Sequence, residues 1–328
     1  MRAVTHDRYG PPDVLGVEDV PVPAPGPGEV LVRVHAASLN AGDWHLMTGT
    51  PFVVRIAMGG LLTPRYRVLG SDVAGRVEAV GADVTRFRPG ERVFADLSGS
   101  GFGAFAEYAK GKEDAFVPIP DGVDFPAAAA VPVAAGAALR GLRDKGRIRS
   151  GQKVLVNGAS GGVGSFAVQI AKSCGAHVTG VCHTRNVAMV QALGADRVVD
   201  YTREDFAGGG ARYDLILDAA AHRPPSDHVK ALAPGGTYVM VGGRVSNMFR
   251  VMLLGSWYAR GTDKRLESLM SAPTPEDMET LRGLLERGAL KPAVHRDFRL
   301  EDLPEAMRYL EERRGSGKMV IRVHPDGT

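Results

Sequence analysis

The sequence predicts an α/β chain in which a mostly antiparallel, barrel-like β domain leads into a doubly wound parallel sheet. Three observations predict it. Residues 1–122 are rich in Pro and Gly and carry short alternating segments such as Glu29-Val30-Leu31-Val32-Arg33-Val34-His35-Ala36-Ala37, the pattern of antiparallel strands. Residues 123–288 alternate short apolar runs (154–156, 178–182, 197–199, 215–218 and 238–241) with stretches of helical period, as strands linked by crossover helices do. The first of these runs opens Lys153-Val154-Leu155-Val156-Asn157-Gly158-Ala159-Ser160-Gly161-Gly162-Val163-Gly164. This is a strand entering a glycine-rich turn, followed by a helix marked by Val163, Ala167, Ile170 and Cys174.

The remaining elements follow in order. Residues 127–130 sit where a domain-bridging helix would start. Residues 293–323 hold a capped helix, Leu303-Pro304-Glu305-Ala306-Met307, and a last strand, Lys318-Met319-Val320-Ile321-Arg322-Val323, expected to return to the first domain. The expected division is 1–122, 123–288 and 289–328. At 328 residues the chain has room for two domains of roughly 150 residues each.

Composition narrows the function classes. Aromatic residues make up 6% while Gly and Ala abound, which suits closely packed α/β layers. The net charge of +3 is spread without a basic block, so neither nucleic acid nor an acidic membrane face is expected as a partner. Cys174 and Cys182 have no Cys/His cluster around them and read as two buried small apolar residues in a reducing compartment. Met1-Arg2-Ala3-Val4-Thr5-His6-Asp7-Arg8 is charged where the apolar core of a signal peptide would begin, so a cytoplasmic location is expected. The late apolar stretch 248–258 is broken by Arg250, Gly255 and Ser256 and falls short of the about 20 residues needed to span a bilayer. It reads as a helix or loop lining a pocket or a subunit contact.

The glycine-rich turn is suited to a dinucleotide pyrophosphate. Gly161 lets backbone approach the phosphates, Gly164 lets the helix pack on the strand, and the helix start offers N–H groups to the anion. Ala159 stands where the common G-x-G-x-x-G pattern has its first glycine; Ser160, Gly162 and Val163 complete the cradle. The second strand runs into His183-Thr184-Arg185-Asn186. A carboxylate there would bind the ribose hydroxyls of NAD; an Arg beside a hydroxyl and an imidazole instead suits a 2′-phosphate, which predicts NADPH. Arg185 has a second reading, the solvated first cation of the next helix. Tyr201, closing the third strand, either flanks the adenine or 2′-phosphate or is an ordinary loop residue. Asp218, Ala219, Gly242 and Gly243 end the fourth and fifth strands, the edge at which such sheets bind ligands.

The order of motifs along essentially the whole chain resembles the medium-chain dehydrogenase/reductase superfamily, specifically its zinc-independent quinone oxidoreductase-like members. The resemblance rests on Ala37-Ser38-Leu39-Asn40-Ala41-Gly42-Asp43, Leu69-Gly70-Ser71-Asp72-Val73-Ala74-Gly75-Arg76-Val77, Phe87-Arg88-Pro89-Gly90-Glu91-Arg92-Val93, the glycine-rich turn, Leu193-Gly194-Ala195-Asp196 and Gly317-Lys318-Met319-Val320. It implies a Rossmann-type cofactor domain beside a GroES-like barrel. Zinc alcohol dehydrogenases of that superfamily place a Cys near Asn40, a Gly-His-Glu at Gly70-Ser71-Asp72, and a Cys or Asp near Val131. The residues here lack the chemistry for zinc, which needs three or four Cys, His or carboxylate ligands. No metal is therefore expected.

The resemblance implies NADPH-dependent reduction of a quinone or α,β-unsaturated carbonyl, acceptors that delocalise the charge they gain and need only a donor and a proton source. Three residues are the catalytic candidates. Asn40 is an amide donor to the carbonyl oxygen or a ribose hydroxyl, Asp43 orients Asn40 or binds ribose, and His45 relays a proton. Against these stand an Asx turn capping a helix for the first two and a packed or surface histidine for the third. Lys318 reaches the cofactor phosphates or is solvated, and Asp72 reads as structural. Relatives usually carry a Thr near Ala137, a departure that bears on turnover. Reduction of simple carbonyls or oxidation of alcohols, and a low-turnover NADPH-binding structural or sensory protein, are the alternatives. A homodimer is expected through exposed sheet edges, with residues 229–241 near the edge. The substrate pocket is expected from residues 52–67 and 245–260.

Overall fold

The computed structural model describes residues 1–208, 210–243, 251, 255, 260–269, 272–312 and 315–324. The chain divides into two units, one of residues 1–133, 272–286 and 292–328, the other of residues 134–271 and 287–291.

The first unit begins with the antiparallel pair β1 (Arg2–Thr5) and β2 (Gly16–Asp19). Its main sheet comprises β3 (Glu29–Ser38), β4 (Asp72–Val80), β5 (Arg92–Asp96), β6 (Tyr108–Lys112), β7 (Phe116–Pro118), β14 (Val294–Arg299) and β15 (Lys318–Arg322). The order is β14-β15-β3-β4-β5-β7, with β6 also on β3. All pairings are antiparallel except β14 with β15. Val32, Val34, Val73, Phe105, Phe116 and Ile321 are buried in its core. Helices α1 (Ala41–Thr48), α2 (Phe125–Ala129), α7 (Pro275–Glu286) and α8 (Leu303–Glu311) belong to this unit. Asp124 caps α2, its carboxylate accepting the Ala127 N–H at 2.7 Å.

The second unit is a parallel sheet of β8 (Lys153–Asn157), β9 (His177–Cys182), β10 (Arg197–Asp200), β11 (Tyr213–Asp218), β12 (Leu232–Met240) and β13 (Arg265–Ser268). Its order is β10-β9-β8-β11-β12-β13. The chain steps outward from β8 to β10, then returns to lay β11 on the other side of β8. Helices α4 (Gly162–Ser173), α5 (Val187–Ala192) and α6 (Pro225–Ala231) lie between successive strands in sequence, while α3 (Pro132–Arg140) spans the unit boundary. Leu155, Val181, Ile216 and Met240 are buried from neighbouring strands, as expected of strands covered on both faces.

Four expectations are corrected. The unit boundary falls at residue 133 rather than 122, and residues 272–286 join the first unit. Alternation of strands and helices cannot say which sheet a helix covers, and α7 packs against β7 with Met278, Leu281 and Leu285 buried. Residues 229–241 are not at the sheet edge, because β13 pairs outside β12. Cys174 is exposed at the end of α4, whereas Cys182 is buried and its thiol is pushed up to about 11 by that burial. The stretch 248–258 lies outside the described residues except for Val251 and Gly255, as does most of 245–260. Among the described residues no helix is long and apolar enough to cross a membrane.

Candidate functional site

In the second unit the buried strand β8 delivers the glycine-rich turn to the start of α4. Gly161 is the N-cap of α4 and makes no side-chain cap bond, so the first turn of N–H groups is left to a ligand or solvent. A Cβ at Gly164 would lie 2.0 Å from the Gly158 carbonyl oxygen, so only glycine lets the helix seat on the turn. A Cβ at Gly161 would approach only that same oxygen, at 3.4 Å, so the turn is open at Gly161. Ala159 is fully buried, and a Cβ added at Gly180 would meet its methyl at 3.0 Å. Its side chain is therefore core rather than cradle. Ser160 Oγ accepts Asn186 Nδ2–H at 2.9 Å, tying the turn to the segment after β9.

Around that segment, His183 Nδ1 accepts the Arg185 N–H at 3.3 Å, and its ring meets the edge of Tyr201 at 5.7 Å. Arg185 and Tyr201 are exposed. Asp200, which sequence reading passed over, takes the Thr184 hydroxyl at 2.6 Å and also binds Thr202. Those hydroxyls, Thr184 first, hold its carboxyl down at about 2. Thr184 thus spends its proton on a carboxylate and has none for a phosphate. This is a correction with a readable cause, because Asp200 ends the strand beside β9 and a pairwise register brings it opposite Cys182.

At the strand ends, Ala219 N–H bonds the Asn157 carbonyl at 3.0 Å, and Gly242 and Gly243 close against residues 219–221. Asp218 is corrected outright. Its side chain is 0% exposed and engaged by Asn157, Tyr238 and His228, so it does not present a carboxylate to a ligand.

The first unit holds a buried polar cluster. Asn40 is the N-cap of α1, and Asp43, one turn in, accepts the Asn40 N–H at 2.8 Å, so the expected Asx capping is present. The Asn40 side chain does more. Its Oδ1 accepts Lys318 Nζ at 2.6 Å and its Nδ2 donates to Asp72 Oδ2 at 2.9 Å. Asp72 Oδ2 also accepts Ser38 Oγ at 2.6 Å and Lys318 Nζ at 3.2 Å, and Oδ1 accepts the Val133 N–H at 2.9 Å. Lys318 completes its set with the Leu39 carbonyl at 3.0 Å. It is 3% exposed and Asp72 0%, so Lys318 is neither solvated nor a phosphate ligand, and Asp72 is the hub of the cluster.

Burial raises Asp43 to about 7; the N–H groups of Asn40 and Gly70 and the Lys318 charge oppose it, and Asp72 adds to it. Burial likewise raises Asp96, opposite Asp72 in the β4–β5 register, to about 6, with the charge of Asp72 adding to the rise. His45 is engaged elsewhere, its Nδ1 2.6 Å from the Thr50 carbonyl and its ring edge-on to Trp44. Among the described residues no group of three His, Cys, Asp or Glu side chains is placed to hold a metal.

Two family models match the chain, an alcohol dehydrogenase GroES-like domain over residues 26–121 and a zinc-binding dehydrogenase over residues 193–321. A chloroplastic quinone oxidoreductase, QR1, of Triphysaria versicolor is 34% identical over 98% of both chains. The chain belongs to the medium-chain dehydrogenase/reductase superfamily, among its quinone oxidoreductase-like members. A 2-methylene-furan-3-one reductase of Solanum lycopersicum is 31% identical over 99% of this chain and 79% of that protein. The solved quinone oxidoreductase of Coxiella burnetii matches with a TM-score of 0.87, 28% identity and 99% coverage of each chain. This superfamily member is an oxidoreductase of a family that uses a nicotinamide cofactor. In the first unit the Lys318 ammonium bonds both Asn40 and Asp72.

Proposed function

We propose that the protein is an NADPH-dependent reductase of quinones or α,β-unsaturated carbonyls that works without a metal. The observation that carries this reading is the buried Lys318–Asn40–Asp72 cluster, in which an ammonium supplies the positive charge at the ligand positions of the zinc relatives. The quinone oxidoreductases and the furanone reductase among the relatives support the substrate class.

A bound nicotinamide supplies the hydride; everything else is asked of the chain. The turn 158–164 and the first N–H groups of α4 hold the pyrophosphate. Arg185, with His183 and Tyr201 beside it, holds the ribose 2′-phosphate, with Asp200 setting the Thr184 rotamer. Asn40 carries two N–H bonds on Nδ2. One goes to Asp72, and we assign the other to the substrate carbonyl oxygen. Lys318, bonded to Asn40 Oδ1, withdraws electron density from that amide and makes it a better donor as negative charge grows on the oxygen. Asp43 fixes the Asn40 backbone and, with its carboxyl near neutrality, holds an exchangeable proton at working pH. Such donors suffice for conjugated acceptors and stabilise the oxyanion of a simple ketone less than a metal would.

The test is loss of the reduced-nicotinamide absorbance by chelator-treated protein, against quinones, enones, alkenals and saturated aldehydes, with NADH in parallel. Turnover confined to conjugated acceptors and faster with NADPH supports the reading. Turnover of saturated aldehydes that chelator abolishes overturns it.

A further inference from the structure

The second unit buries a histidine that no step above uses. His228, on α6, is 0% exposed, with its ring stacked on Phe206 at 5.4 Å and tilted against Tyr238 at 4.8 Å. Its Nε2 stands 3.1 Å from Asp218 Oδ2, a close contact without the alignment of a hydrogen bond, and that oxygen accepts the Tyr238 hydroxyl at 2.8 Å. Asp218 Oδ1 accepts Asn157 Nδ2–H at 2.8 Å and the N–H groups of Ala220 and Ala221 at 3.1 and 2.7 Å. An imidazole in so dry a place forfeits hydration that an apolar ring would not, so its presence calls for a compensating bond. Burial alone would push the Asp218 carboxyl up, but His228, the Ala221 N–H and the Tyr238 hydroxyl together hold it below the usual carboxylate range.

The place of this pair in the sheet gives it a consequence. Asp218 ends β11 in register with Asn157, which ends β8, and between these strands the chain order reverses. Doubly wound sheets bind their ligand in the crevice at that reversal. Residues 219–221, pinned by the Asp218 carboxylate, fill a tight slot there. A Cβ at Gly158 would meet the Ala220 methyl at 3.1 Å, one at Gly242 the Ala219 oxygen at 2.9 Å, and one at Gly243 the Ala220 oxygen at 2.4 Å. Ala221 takes a φ of 40°, a backbone state that a side chain disfavours and that its bond to Asp218 helps hold. A shift of the loop therefore moves the glycine turn on one side and the end of β12 on the other.

We propose that His228 is a positioning residue for the nicotinamide cofactor, holding Asp218 so that the segment 219–221 keeps the glycine turns at the ends of β8 and β12 in binding register. The inference rests on the reading that this unit binds such a cofactor.

The experiment measures NADPH and NADH dissociation constants by fluorescence titration, together with thermal midpoints, for the full-length wild type and four variants. H228F keeps a ring without a polar edge, H228Q restores a polar side chain, Y238F removes the hydroxyl donor to Asp218 Oδ2, and L142A truncates a fully buried residue of the same unit. H228F is expected to weaken both cofactors by about tenfold, with recovery to within about threefold of wild type in H228Q and an intermediate loss in Y238F. L142A is expected to lower the midpoint and leave both constants unchanged. Wild-type affinity in H228F, or loss in L142A that matches it at equal midpoint, overturns the inference alone. A wild-type chain that binds neither cofactor overturns the cofactor reading and this inference with it.

Discussion

Replacing Lys318 by methionine removes the ammonium from the buried cluster while keeping most of its apolar stem. Three acceptors lose a donor, namely Asn40 Oδ1, the Leu39 carbonyl and Asp72 Oδ2. Removing one partner of a buried charge pair costs about 3–5 kcal/mol. Asp72 keeps the Ser38 hydroxyl, the Asn40 amide and the Val133 N–H, so the lower end, about 3 kcal/mol, is expected here. The assay is urea unfolding of wild type, K318M, D72N and the K318M/D72N pair. The double variant recovers about 1 kcal/mol or more of the K318M loss, because neither charge is then left alone. Its turnover stays low, because Asn40 has lost the charge behind its amide. A K318M loss under about 1 kcal/mol, or a double variant no more stable than K318M, refutes the assignment of Lys318 as the countercharge of the cluster.

Asp43 carries a raised pKa of about 7, so the folded state holds a proton that the unfolded chain releases from its ordinary 3.8 upward. The stability tied to that proton is complete below the unfolded value and is lost as pH rises to about 7, so D43N is expected to flatten this fall by up to about 4 kcal/mol in pH-dependent urea unfolding. An unchanged profile means that Asp43 titrates normally. Arg185→Ala should lower the NADPH-to-NADH ratio of kcat/KM by about tenfold, and Asp200→Asn should raise it by removing a negative charge beside Thr184; equal loss with both cofactors in R185A excludes Arg185 from the 2′-phosphate. Gly164→Ala sets a methyl 2.0 Å from the Gly158 carbonyl, so dinucleotide binding should be lost and the thermal midpoint should fall, and retention of cofactor affinity counts against the cradle.

The parts of the site legible in the sequence are those made by contiguous chain. Strand, glycine turn and helix from Lys153 to Ser173 are local chemistry, in which Gly158, Gly161 and Gly164 meet one another within a few residues, so spacing alone marks the turn. The bond from Asn186 to Ser160 joins residues 26 positions apart, which no local pattern encodes. Asp218 and Lys318 find their partners far along the chain. Nothing in either neighbourhood says that a carboxylate turns down into the sheet to meet His228, or that an ammonium turns inward to Asn40.

By itself the sequence determined the order of elements, the apolar faces and the glycine-rich turn, because each depends on residue type and short-range spacing. Only the tertiary structure decided which sheet residues 272–286 join, that β13 covers β12, and that Lys318 closes on residues 278 and 246 positions away. Charges so far apart in the chain meet only because β15 pairs with β3 and β3 with β4, which brings residues 318, 38–40 and 72 together in one buried, low-dielectric place. Burial is what turns three ordinary side chains into a tightly coupled charged cluster, and burial is a property of the folded sheet rather than of any segment.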